Sequence, residues 1–102
     1  MRYCISEIFK ERYKSYAFFF KLWFEDGHRF VCYEDFNKTP KGFPKKKLNE
    51  SLSFIELKDV LETVEVLSTQ YEAAKLKPPR LCIHVHSRQD SVFLEEYLVE
   101  IV

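Results

Sequence analysis

Glycine is scarce in this sequence of 102 residues, which contains only Gly27 and Gly42. A phosphate-cradling loop needs clustered glycines, because its backbone must approach the phosphates closely and turn sharply. P-loop and dinucleotide-binding motifs are therefore excluded. The sequence also lacks a serine nucleophile elbow, a Cys-x-x-Cys pair and a His-Glu-x-x-His motif. We therefore expect a protein that is not an enzyme.

Cysteines and long apolar runs are also few. The cysteines are Cys4, Cys32 and Cys82, and an odd, widely spaced set is a poor disulfide framework that indicates a reducing compartment. The longest apolar stretch, 17–24, is interrupted by Lys21 and is far too short to cross a bilayer. The first residues lack the apolar core of a signal peptide. We expect an intracellular protein, cytoplasmic or nuclear, that is neither secreted nor bound to a membrane.

Net charge is absent as well, since 16 Lys and Arg balance 16 Asp and Glu. A neutral total argues against a polyanion-binding protein. The charges are unevenly distributed, however: residues 1–48 hold 11 basic and 6 acidic side chains, a net of +5, and residues 49–102 hold 5 and 10, a net of −5. This asymmetry has two equally favoured interpretations: one part of the chain faces a polyanion, or the charges are divided by chance and by an acidic helix face.

Hydrophobic residues make up 46% of the chain and aromatic residues 17%, which is ample for a globular core. A chain of this length is the usual size of one domain. We expect a single domain, 1–102, in which residues 1–76 form a core of sheet and helix and residues 77–102 form a C-terminal extension.

Residues 15–36 predict a β-hairpin, because two aromatic-rich segments flank Asp26-Gly27, a strong signal for a two-residue turn. That turn pairs Phe24 with Arg29. One face of the first strand is continuously apolar, and we expect it to cover the core; it consists of Phe18, Phe20, Leu22 and Phe24. The opposite face of the hairpin mixes aromatic side chains with a cation: Phe19, Lys21, Trp23 and Phe30.

A basic loop and a helix follow the hairpin. The loop is predicted over 37–48, which contains two prolines, one glycine, five lysines and no acidic residue. We expect it to lead into a short third strand at 48–52. An amphipathic helix is then predicted over 54–75, with a capping box formed by Ser53 and Glu56 at its start and Pro78-Pro79 as its stop.

The two ends of the chain have less regular patterns. Residues 3–9 alternate like a strand but also fit a helix, and residues 81–86 predict a strand. In 91–102, helical spacing competes with strand propensity, and we favour a helix. The predicted fold is α+β: an antiparallel twisted sheet backed by one long amphipathic helix, with an extra C-terminal strand and a further helix or strand.

The predicted elements follow one another in the order strand, strand, basic loop, strand and capped helix. The residues that carry this order are the hairpin 18–36, the lysine-rich segment 38–47, Leu52 and the helix. In this order the chain resembles the single-stranded nucleic-acid-binding group that includes Pur-alpha repeats, Whirly proteins and the coactivator positive cofactor four. In that group a curved antiparallel sheet binds the single strand, and the helix backs the sheet and usually helps to form a dimer. The resemblance implies a homodimeric, non-catalytic single-stranded DNA- or RNA-binding protein, acting in transcription or replication regulation.

The candidate nucleic-acid contacts are aromatic and basic, because bases stack on aromatic faces while lysines follow the phosphates. The candidate stacking residues are Phe19, Trp23, Phe30 and Phe43. The candidate phosphate contacts are Lys21, Lys38, Lys41, Lys45, Lys46 and Lys47. In the alternative interpretation, the hairpin rings pack against the C-terminal segment and the lysines form only a solvated loop.

Two other functions compete with nucleic-acid binding. Cys82, His84 and His86 share one face of a predicted strand, but a zinc site would need further ligands, with Cys4, His28 and Cys32 as the remote candidates. We expect no metal and no cofactor, and a small metal-dependent enzyme is the least favoured function. The alternative function is a protein–protein interaction module, such as a viral or regulatory inhibitor, in which the acidic helix or the aromatic sheet grips a partner.

Overall fold

The computed structural model describes the backbone of residues 1–26, 29–31 and 55–102 and the side chains of residues 1–24 and 55–102. Within these ranges the fold is α+β, with an antiparallel sheet in the strand order β1-β5-β4-β2-β3. The strands are β1 (Tyr3–Cys4), β2 (Phe18–Asp26), β3 (Arg29–Val31), β4 (Arg80–Ser87) and β5 (Phe93–Ile101), and the helices are α1 (Glu7–Arg12) and α2 (Leu57–Ala73). The predicted fold class and the antiparallel sheet are confirmed.

The core lies on one face of the sheet, because side chains alternate between the two faces along each strand. The predicted apolar face of β2 is confirmed: Phe20, Leu22 and Phe24 are buried, and Phe18 packs against them. The central strand β4 adds three more buried side chains, which are Leu81, Ile83 and Val85. The buried positions of α2 recur at helical spacing and are Val60, Val64, Leu67, Ser68 and Tyr71.

The segment 3–9 contains both of the structures that its pattern allows. It begins as β1, which pairs with the end of β5, and continues as α1. Ser6 is the N-cap of α1, and its hydroxyl accepts a hydrogen bond from the Phe9 backbone N–H at 3.2 Å. A serine in this position satisfies one of the N–H groups that a helix start leaves without a partner.

Helix α2 begins later than predicted, and the assignment of Ser53 as its N-cap is wrong. Ile55 exchanges two backbone hydrogen bonds with Phe20 of β2, at 3.0 and 3.1 Å, so its backbone is extended and unable to start a helix. The N-cap is Glu56, whose N–H donates to the Asp59 carboxylate at 3.5 Å. A long-range contact with the sheet therefore sets where this helix begins.

Helix α2 ends at Ala73, before the Pro78-Pro79 pair that the sequence indicates as its stop. The N–H of Leu76 donates to the Tyr71 carbonyl, and the N–H of Lys75 donates to the Glu72 carbonyl, both at 3.1 Å. This pair of bonds is a Schellman motif, which needs a residue in the left-handed region after the C-cap. Lys75 occupies that position, with a φ of 53°.

Replacing Lys75 with glycine is expected to raise the free energy of unfolding by about 0.5–1 kcal/mol, because a side chain in the left-handed region is strained and glycine is not. The lysine side chain is exposed, so little packing is lost. Urea denaturation measures the change, and Lys77→Gly, a few residues further along the chain, is the control. A Lys75→Gly protein that is less stable than the parent would contradict this explanation.

Most of the segment 91–102 forms the strand β5, so the helix favoured for it is wrong. Strand β5 pairs antiparallel with β4, with Ile83 opposite Tyr97 and Leu81 opposite Val99. The sequence pattern is ambiguous here because residues four positions apart, such as Tyr97 and Ile101, share a face in a strand as well as in a helix. The long pairing with β4 decides between the two.

The predicted hairpin forms, but its predicted register is wrong by two residues. Asp26 lies opposite Arg29 and Phe24 opposite Val31, whereas the sequence pairs Phe24 with Arg29. The turn does not act alone, because β2 is also paired with β4 from Phe18 to Glu25. Since strand side chains alternate with period two, a shift of two residues leaves the predicted faces unchanged.

Several predictions lie outside the described residues: the turn at Gly27, the rest of the second hairpin strand, the basic loop 37–48 and the third strand 48–52. In the ranges that are described, neither helix has the length and apolar character needed to cross a membrane.

Candidate nucleic-acid interface

The sheet has a second face, opposite the core, which we call the open face. Strand alternation, together with a register shift between β4 and β5 at Val85–His86, places on it side chains from three neighbouring strands: Phe19, Lys21, Trp23, Cys82, His84, His86, Phe93, Glu96 and Leu98. Lys21 lies opposite His84, and Trp23 lies opposite Cys82. Three of the hairpin residues predicted to bind nucleic acid, Phe19, Lys21 and Trp23, therefore lie beside β4 and its histidines.

A chain of hydrogen bonds crosses the open face from β2 to β5. The Trp23 Nε1–H donates to His84 Nδ1 at 3.2 Å, and His84 Nε2 lies 2.9 Å from the Glu96 carboxylate. An indole nitrogen only donates, so Nδ1 must accept and Nε2 must carry the proton that is donated to Glu96. This chain orients the Trp23 ring on the open face.

Aromatic rings cluster at the end of the open face where β2 begins. The Phe19 ring stacks on His86 with a centroid distance of 5.0 Å and an interplanar angle of 3°. Phe93 approaches His84 and His86 edge-on, with centroids 5.2 and 5.6 Å away. Phe19 is only 8% exposed, whereas Phe93 is 51% exposed. In this arrangement Phe93 offers more ring surface to a ligand than Phe19 does.

His86 is held in an environment that favours its neutral form. Its Nε2 atom is buried and has no hydrogen-bond partner in the described part of the chain, and its Nδ1 lies 3.5 Å from the Ser91 carbonyl. Burial lowers the pKa of His86, the hydrogen bond to the Ser91 carbonyl partly opposes this, and the positive charge of Lys21 lowers the pKa further.

The free energy of unfolding is expected to fall as the pH drops below about 6.5, the ordinary histidine pKa. The folded-state pKa of His86 is lowered, so the unfolded chain binds the proton more tightly and is favoured in acid. His86→Phe keeps a ring against Phe19 and removes this titration. Urea denaturation between about pH 7.5 and 5.5 should show a smaller decrease for the variant than for the parent. Equal decreases would contradict this role of His86.

Three of the predicted contact residues have described side chains. Lys21 and Trp23 are half-buried on the open face, and Phe19 is buried beneath it. The Phe19 and Trp23 rings both contact β4, as the alternative interpretation of the hairpin expects. Phe30 lies in β3 opposite Glu25, but its side chain is outside the described set. The other candidates lie outside the described residues and stay predictions: Lys38, Lys41, Phe43, Lys45, Lys46 and Lys47.

The sequence reasoning missed two residues of this surface. Phe93 comes to the open face through the pairing of β5 with β4, which places it opposite His86. Arg80 is exposed at the first position of β4 and lies opposite Glu25 of β2. Unbroken strand alternation over 91–102 would place Phe93 on the core face with Tyr97 and Val99, so the register shift between β4 and β5 at Val85–His86 is what brings it to the open face.

Nothing in the described residues assembles a metal site from three or more His, Cys, Asp or Glu side chains. Cys82 does share the open face with His84 and His86, as predicted, but it is fully buried. Cys4 is exposed on the edge strand β1, which β5 separates from the β4 strand that carries Cys82.

Comparison of the chain with protein-family models, with curated proteins and with solved structures gives no match. The resemblance to the Pur-alpha and Whirly group stays a prediction.

Proposed function

We propose that this chain is a non-catalytic binding domain for single-stranded DNA or RNA, which contacts the strand with the open face of β2 and with the lysine-rich segment 38–47. The observation that carries the proposal is the placement of Trp23 and Lys21 on one side of β2. A single strand is bound where an aromatic ring for the bases and a cation for the phosphates lie next to each other.

The orientation of Trp23 supports this function. Its hydrogen bond to His84 holds the indole in place, so less side-chain freedom is lost when a base stacks on it. Such stacking contributes about 1–3 kcal/mol per base. Phe93 is a second aromatic ring on the same surface, half-exposed and across β4 from β2.

The charge distribution gives the strand a preferred path. On the open face, Lys21 lies on β2 and Arg80 lies on β4 at the position opposite Glu25, whereas β5 carries the exposed carboxylates of Glu96 and Glu100 and no cation. Phosphates are attracted to Lys21 and Arg80 and repelled by the carboxylates of β5. The proposed path therefore follows β2, on the far side of the sheet from α2. In this proposal α2 is the one long amphipathic helix that backs the sheet, as in the group that the chain resembles.

Fluorescence anisotropy with labelled oligo-dT and an RNA of equal length, each at two salt concentrations, tests this function. We expect binding at low salt that weakens as salt rises, because bound phosphates release counterions. Absence of binding to both strands at low salt would contradict the proposal. A homodimer is part of the proposal, and sedimentation equilibrium measures its mass.

A protein–protein interaction module is the second candidate function, and the surface of β5 favours it. Four large apolar side chains in or directly before this strand are about half exposed: Val92, Phe93, Leu94 and Leu98. An apolar cluster of this kind beside charged residues is typical of a surface that binds a protein. If protein binding by β5 is the only function of the chain, the anisotropy experiment shows no binding of either nucleic acid.

A further inference from the structure

Strand β5 has one side that is only partly paired. Along one side it pairs with β4 over most of its length. On the other side β1 reaches only Glu100 and Ile101, and within the described residues no strand continues this pairing towards Phe93. We call this side of residues 93–98 the β5 edge. An unpaired edge is a template for a further strand.

The backbone groups of the β5 edge point outwards. Arg2 and Val102 exchange two backbone hydrogen bonds, at 2.7 and 2.9 Å, so Val102 directs its N–H and C=O towards β1. This direction alternates along an antiparallel strand, so Glu100, Leu98 and Glu96 direct theirs to the same side. Glu100 is covered by β1. Leu98 and Glu96 have no strand opposite them there among the described residues.

The ends and walls of the β5 edge define the space for an added strand. Residues 93–98 span about 20 Å, and β1 closes one end. Helix α1 lies on the core side, with the Phe9 ring 4.7 Å from Tyr97 and Arg12 paired with Glu95 at 3.3 Å. On the open side, Leu98 is 44% exposed and lies in line with Glu96.

A second copy of the chain is a poor occupant of this edge. Two β5 strands that pair symmetrically must meet about a centre within residues 93–98, because β1 blocks the positions beyond. The two longest of these pairings are centred on Glu95 or on Glu96, and each places that glutamate of one copy directly opposite the same glutamate of the other. Like charges directly opposite each other destabilise a strand pair.

The charges of β5 instead fit a basic strand. Its sequence, FLEEYLVEI, contains three glutamates and no lysine or arginine. Arg12 already pairs with Glu95, but the Glu96 side chain is 44% exposed beside His84, and Glu100 is exposed. A lysine opposite Glu96 in the added strand would lie next to its carboxylate on the open side, and one opposite Leu98 would lie diagonal to Glu100. Opposite charges in adjacent strands are favourable.

We infer that the β5 edge binds an extended basic segment of a protein partner as an additional strand of the sheet. Backbone hydrogen bonds to Glu96 and Leu98 hold the segment, and its lysine or arginine side chains pair with the exposed carboxylates. This mode of recognition rests on the protein-binding candidate above and is independent of nucleic-acid binding on β2.

The test uses a fluorescent peptide of about eight residues that alternates valine and lysine, long enough to cover the edge. Its anisotropy is measured with the full chain, with Glu96→Lys and with Glu62→Lys, which makes the same charge change on the exposed side of α2. Glu96→Lys should weaken binding at least about tenfold, and Glu62→Lys by less than about twofold.

A second peptide, with the same sequence but N-methylated at every residue, keeps the charges and is unable to donate backbone hydrogen bonds. We expect it to bind at least about tenfold more weakly than the first peptide. Equal binding of the two peptides would overturn strand addition while leaving a protein-binding surface on β5. Absence of binding by the first peptide would also overturn strand addition. A separate titration of the same protein with oligo-dT reports on nucleic-acid binding.

Discussion

Replacing Phe20 with alanine should lower the free energy of unfolding by about 3–5 kcal/mol, the usual cost of removing a buried phenylalanine. Phe20 is 1% exposed, and its ring contacts Phe9 and Tyr13 of the α1 segment at centroid distances of 5.8 and 6.0 Å. Its backbone joins β2 to Ile55, immediately before α2. The change therefore opens a cavity where α1, β2 and the start of α2 meet. Domains of this size have total stabilities of about 5–15 kcal/mol.

Urea denaturation of three proteins checks this result. Phe20→Leu retains part of the side-chain volume, so the free energy of unfolding should fall less than in Phe20→Ala. Tyr16→Ala removes an aromatic ring of similar size that is 79% exposed, and its effect should stay within about 0.5 kcal/mol. If Phe20→Ala cost no more than Tyr16→Ala, the core described above would be wrong.

Replacing Trp23 with alanine should weaken the binding of oligo-dT about 5- to 150-fold, which corresponds to about 1–3 kcal/mol for one stacked base. The indole lies on the open face and is held by His84. Trp23→Phe keeps an aromatic face but loses the N–H donor, so its affinity should lie between those of the parent and Trp23→Ala. Anisotropy at low salt measures all three.

Tyr16→Ala is again the control, because it removes an exposed aromatic ring that precedes β2 and is not on the open face. Its affinity for oligo-dT should equal that of the parent. Urea denaturation of each variant separates a loss of contact from a loss of folding. A Trp23→Ala protein that is folded and binds oligo-dT as tightly as the parent would show that the bases stack elsewhere.

Strong local patterns predict much of this fold. The alternation of Phe18, Phe20, Leu22 and Phe24 identifies the buried face of β2, because no other regular structure places these four residues together. The strand at 81–86 is found in the same way, and the spacing of apolar residues finds the helix, although its predicted N-cap is wrong. The errors lie where a distant partner decides: Ile55 is held by β2, which delays α2, and β5 is a strand because β4 lies beside it.

The candidate site is harder to predict than the fold, since it depends on which strands are neighbours. The sequence identifies Trp23 and Lys21 as residues of one face, and the structure places them there. It contains no local signal that β4 lies between β2 and β5. This strand order brings Phe19 against His86 and Trp23 against His84. It also brings Phe93 to the same face.

The uneven distribution of charge along the chain corresponds to an uneven distribution of charge across the described part of the sheet. The excess of acid in residues 49–102 includes the exposed glutamates of β5, whereas Lys21 lies on β2 and Arg80 on the neighbouring strand β4. A polyanion and a basic peptide would therefore use different parts of the same sheet. The two proposals are compatible for this reason, and each is tested by its own probe.

The central claim, that bases stack beside Trp23, is tested most directly by the fluorescence of that residue. Trp23 is the only tryptophan in the chain, so its emission reports on this position alone. During titration with unlabelled oligo-dT at low salt, we predict quenching that saturates with the same dissociation constant as the anisotropy of labelled oligo-dT. An anisotropy that rises to saturation while the tryptophan emission stays unchanged would contradict the claim.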